Sequence, residues 1–123
     1  MVNCFWNSTT QKKHFSPLHS DTSCDVAIIG AGFTGISAAY HLAQKKVSVV
    51  LLDAESPMFG ATGRNGGFCC LGGSKASDAF LDQKFGKPER LLYRQAEAEA
   101  VALVSRLLKN NQIDADRHSD GET

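Results

Sequence analysis

The chain lacks a charge excess of either sign: thirteen basic and thirteen acidic residues cancel over its 123 residues. That removes the electrostatic case for a nucleic-acid or anionic-membrane partner, either of which needs a basic surplus. Long hydrophobic runs are also missing. Runs such as Val49 to Leu52, with Val47 nearby, are far short of the roughly 20 residues that span a bilayer. Residues 1–24 contain Lys12 and Lys13 but no arginine and no apolar stretch. They match neither a secretory signal nor a mitochondrial leader, so a cytoplasmic location is expected. The four cysteines lack metal-site spacing: Cys4 and Cys24 are isolated, and Cys69 and Cys70 are adjacent. His14, His19, His41 and His118 are scattered. No metal site, internal repeat or low-complexity tract is expected. With 42% hydrophobic residues the chain is nevertheless too apolar to be read as disordered.

What the sequence does have is glycine in two clusters. Gly30-Ala31-Gly32-Phe33-Thr34-Gly35 follows an apolar strand, Val26 to Ile29, and opens an alanine-rich helical stretch, Ile36 to Gln44. A second apolar strand, Val47 to Leu52, ends in Asp53. Strand, glycine turn, helix, strand and terminal acid together make a dinucleotide-binding βαβ unit. Gly30 allows the tight turn, Gly32 lets a pyrophosphate approach the backbone, and Gly35 lets the helix lie close to the sheet. The helix N-terminus carries unpaired N–H groups and about half a positive charge, which suits a diphosphate. Asp53 is placed to accept from ribose hydroxyls, and its charge repels a 2′-phosphate, which argues against NADP. Further on comes the second cluster, Ala61-Thr62-Gly63-Arg64-Asn65-Gly66-Gly67.

Residues 25–67 resemble the N-terminus of FAD-dependent oxidoreductases of the D-amino acid oxidase type, within them the γ-glutamylputrescine oxidoreductase-like branch. The resemblance is carried by Asp25 to Gly35, by Leu51-Leu52-Asp53-Ala54, and above all by Gly60 to Phe68. Phe5-Trp6 is similar to an aromatic-Trp pair in the leaders of that family. The resemblance implies FAD as cofactor and an amine or amino acid as small-molecule substrate. It implies cofactor contacts from Gly30, Ala31, Gly32, Phe33, Thr34, Gly35, Asp53, Ala54, Ala61, Thr62, Arg64, Asn65, Gly66 and Gly67. Among these, Arg64 is the candidate for an electrostatic role, Thr62 and Asn65 for side-chain hydrogen bonds, and Gly66 and Gly67 for close backbone approach. No catalytic residue is assigned. Two positions depart from the family pattern: Lys46 stands where glycine is usual in the helix-to-strand turn, and Asp53 replaces a glutamate.

The expected fold is α/β, the N-terminal part of a Rossmann-like FAD-binding domain, incomplete at this length. Two parallel strands do not make an independent core. A polar leader, residues 1–24, is expected to pack as an arm, with residues 25–123 forming the beginning of the FAD domain. Residues 54–76 read as one long glycine-rich loop, a length that usually carries function. Ser77 is an N-cap for a helix from Asp78 to Phe85 stopped by Gly86, and Pro88 begins a longer helix to about Asn110. Its apolar stripe, Leu92, Ala96, Ala100, Val104 and Leu107, marks a packing helix. The polar end, Arg117 to Thr123, reads as a turn entering a further strand. Two other readings stay open: a dinucleotide-binding module without catalysis of its own, and a truncated product that does no chemistry.

Overall fold

A computed structural model describes residues 4–9, 11, 13–72 and 75–115. Gly73 of the long loop and the polar end from Arg117 to Thr123 lie outside the described residues. The elements in order are α1 (Trp6–Thr9), β1 (Val26–Ile29), α2 (Phe33–Gln44), β2 (Val49–Leu52), a 3-10 turn (Ala61–Gly63), α3 (Asp78–Phe85) and α4 (Lys87–Asn110). The chain divides into two compact units, residues 1–66 and 67–123. The leader belongs to the first of them.

In the first unit β1 and β2 are parallel, with Val26 opposite Val49 and Ile29 opposite Leu52. The pairing continues at both ends, where Ser48 N–H donates to Asp25 Oδ2 and Gly30 N–H donates to Leu52 O at 2.7 Å. The helix α2 crosses between the strands and packs on both. It can lie this close because Gly35 is buried against the end of β1. A Cβ there would run into the Gly30 carbonyl and come within 3.3 Å of Ile28 Cγ2. The helix starts at Phe33, three residues before the apolar spacing suggested, because Gly32 in extended conformation already serves as N-cap. The second strand starts at Val49, later than the apolar run, because residues 45–47 are taken up by the end of α2.

That end is a Schellman motif. Val47 N–H donates to Leu42 O and Lys46 N–H to Ala43 O, with Lys46 at φ 62°. The departure from glycine at position 46 therefore places a side chain in the left-handed region.

In the second unit α3 is capped by Ser77 Oγ, which accepts from Phe80 N–H at 3.2 Å. It stops at Gly86, φ 87°, where Pro88 in the first turn opens α4. The two helices pack together and are tied by Arg90 to Asp78 and Asp82, and by Arg94 to Asp78. These partly exposed pairs fix helix orientation more than they add stability. Among the described residues, only Ala31 and Leu81 are buried hydrophobics, while Ile29 is 80% exposed. No helix among them is long and apolar enough to cross a membrane.

Two substitutions test this account by thermal unfolding. Gly35→Ala is expected to cost about 3 kcal/mol, because the clash is with backbone that cannot rotate away. Lys46→Gly is expected to stabilise by about 1 kcal/mol through relief of the left-handed strain.

Candidate dinucleotide-binding site

The glycine turn emerges from β1 with Gly30 at φ 99°, a conformation that disfavours side chains. Ala31, 3% exposed, has both backbone groups engaged: its N–H donates to Asp53 Oδ2 at 2.6 Å, and its carbonyl accepts from Met58 N–H at 2.9 Å. Asp53, at the end of β2, also accepts from Glu55 N–H through Oδ1 at 2.8 Å. These backbone donors, Ala31 first and then Glu55, hold its carboxyl below the usual carboxylate range against a small opposing effect of desolvation. The folded value is depressed, so any stability this gives is present above the ordinary carboxylate range and lost as pH falls through the folded value. Asp53 is exposed, so each oxygen keeps lone pairs for further donors. Ala54 beside it is exposed as well.

The second glycine cluster lies against the N-terminus of α2. Thr62 Oγ1 accepts from Phe33 N–H at 3.2 Å, so a residue from the 3-10 turn Ala61–Gly63 supplies the cap that Gly32 lacks. A Cβ on Gly32 would sit 3.1 Å from Thr62 Oγ1, so any side chain there would fill the gap between the two loops. Asn65 directs its amide to Thr62 O at 2.7 Å and Ala61 O at 3.3 Å, closing the 3-10 turn. Arg64 is exposed, and its guanidinium lies 4.7 Å over the Phe59 ring. Thr34 in the first turn of α2 is exposed, and Phe33 is 63% exposed. Gly66 and Gly67 follow, both exposed, with Gly67 at φ 76°.

The structure thus joins Ala31, Asp53, Phe33, Thr62 and Asn65 through hydrogen bonds around one helix N-terminus. It adds residues that the sequence reading did not place there. A Cβ on Gly63 would run into the Met58 carbonyl, so this glycine permits the tight 3-10 turn. Cys4 Sγ donates to Gly63 O at 3.5 Å, and Trp6 Nε1 donates to Asn65 O at 2.7 Å. The Phe5-Trp6 pair was the available signal for the leader contacts, but residue spacing alone gives no partner for it. Among the described residues no group of three His, Cys, Asp or Glu is placed to hold a metal ion.

A family model for FAD-dependent oxidoreductases, DAO, matches residues 25–122. The chain belongs to that family. Its members depend on FAD, and the glycine turn, the helix N-terminus and the gap at Gly32 fit a dinucleotide's diphosphate. The chain is 34% identical over 107 residues to gamma-glutamylputrescine oxidoreductase of Escherichia coli, covering 87% of this chain and 25% of that one. It is 32% identical over 112 residues to a putative Rieske 2Fe-2S iron-sulfur protein, YhfW, of Bacillus subtilis, covering 91% of this chain and 22% of that one. A probable oxidoreductase, OrdL, of Haemophilus influenzae is 31% identical over 112 residues, with 91% and 26% coverage. The chain therefore spans about a quarter of the length of the curated relatives it matches. No solved structure matches it significantly.

Thr62→Val keeps the shape of the side chain and removes the acceptor at Phe33 N–H. It is expected to cost about 1 kcal/mol in thermal unfolding and to weaken FAD binding severalfold, whereas Thr62→Ser retains both.

Proposed function

We propose that this chain forms the N-terminal part of the FAD-binding domain of an oxidoreductase that oxidises a C–N bond of an amine or amino acid. The observation that carries the reading is the hydrogen-bonded junction of the two glycine clusters at the N-terminus of α2, with Asp53 beside it. The amine class is supported by similarity to gamma-glutamylputrescine oxidoreductase.

In this reading the first turn of α2, from Gly32 through Phe33 and Thr34 to Gly35, holds the diphosphate by backbone N–H groups and the helix dipole. Asp53, kept ionised by Ala31 N–H, uses its remaining lone pairs on the ribose hydroxyls, with Ala54 completing that wall. Ala61, Thr62 and Asn65 set the shape of the second loop, and Arg64 brings positive charge to its exposed side. Gly66 and Gly67 let backbone come close to the cofactor. Bound FAD supplies the acceptor for the hydride leaving the carbon next to nitrogen, and the protein orients it. The proposed location is the cytoplasm.

One observation favours a second reading, a dinucleotide-binding module without catalysis of its own. No residue of β1 or β2 is buried and Ile29 is 80% exposed, while the hydrogen-bonded glycine loops form a cradle without any assigned catalytic residue.

For a full-length enzyme containing these residues, denaturation followed by chromatography is expected to release FAD, and an amine or amino acid from a test panel is expected to reduce it, whereas the 123-residue chain alone is expected to turn over no amine. Release of a nicotinamide nucleotide alone would contradict the cofactor reading. Bound FAD that no amine reduces would leave the module reading in place of the enzyme.

A further inference from the structure

The leader touches the second glycine loop at two places with a common offset. Cys4 Sγ donates to Gly63 O, and Trp6 Nε1 donates to Asn65 O, so residues two apart on the leader meet residues two apart on the loop. The short α1 keeps this segment in shape: Asn7 N–H donates to Cys4 O at 3.0 Å and Ser8 N–H to Phe5 O at 2.9 Å. Phe5 lies edge-on to Trp6, with ring centroids 5.2 Å apart. The two anchored carbonyls flank Arg64, and Thr62 on the preceding position is bonded to α2. Three points of attachment therefore bracket the loop residue that carries the positive charge.

The indole contact also has a directional consequence. A trans peptide points its C=O and N–H in opposite directions. Because Asn65 O is turned toward Trp6, the N–H of Gly66 in the same peptide unit is turned away from the leader. We infer that Trp6 is a positioning residue for FAD: by holding the Asn65 carbonyl it fixes the direction of the Gly66 N–H and the placement of Arg64. The leader is thus a structural part of the cofactor site. The inference rests on the FAD reading above, and it assigns a role to a segment that precedes the family match at residue 25.

The test compares the wild-type chain with Trp6→Phe, which keeps an aromatic ring but has no N–H, and with a deletion of residues 4–9. FAD affinity is measured by flavin fluorescence titration, and exchange of backbone amides in residues 63–67 by mass spectrometry. Trp6→Phe is expected to weaken FAD binding about three- to tenfold, the effect of one lost hydrogen bond. Amide exchange in the loop should rise while the circular dichroism spectrum is unchanged. The deletion should weaken binding at least as much. Wild-type FAD affinity and loop exchange in both variants would overturn the role of Trp6 alone. A wild-type protein that holds no FAD would overturn the functional reading, and the role of Trp6 with it.

Discussion

The approach of α2 to the end of β1, with Gly35 against the Gly30 carbonyl, is the constraint from which the site follows. It sets where the helix begins and therefore where its first N–H groups point. With the helix displaced, Phe33 N–H would leave Thr62, and Ala31 would leave both Asp53 and Met58. The contact contributes little energy itself. Its effect is geometric: with no Cβ at residue 35 the helix can approach the Gly30 carbonyl at a distance any side chain would exclude.

Around this contact the glycine turn is held by a small network of hydrogen bonds. Asp53 reaches back from β2 to Ala31, Met58 reaches to the same residue from the following loop, and Thr62 caps the helix from farther along. Each bond is ordinary in strength, so the network acts through shared geometry: moving one loop moves the others. The leader enters through Cys4 and Trp6 on the far side of the same loop.

Much of this was legible in the residues. The glycine spacing, the apolar runs and Asp53 located both strands, the crossover helix and the helix N-terminus, because each obeys a local steric or periodic rule. Ser77, Gly86 and Pro88 located α3 and α4 for the same reason. Lys46 departs from glycine at this turn, and the structure places it at a left-handed C′ position. The pairings Phe33–Thr62 and Trp6–Asn65 were not legible, since they join residues far apart in sequence through single hydrogen bonds that no periodicity encodes. The start of α2 was placed late because residues 33–35 carry a backbone function rather than an apolar pattern. The 3-10 turn inside the long loop was missed because its enabling contact, Gly63 against the Met58 carbonyl five residues earlier, is a backbone fit that no apolar period marks.

The central claim is that the turn at 30–35 and the loop at 61–66 are one cofactor site. Hydrogen exchange of the full chain with and without FAD tests it directly. The account predicts that FAD slows amide exchange in residues 31–35 and 61–66 together. Protection confined to one of these segments, or found only elsewhere, would contradict it.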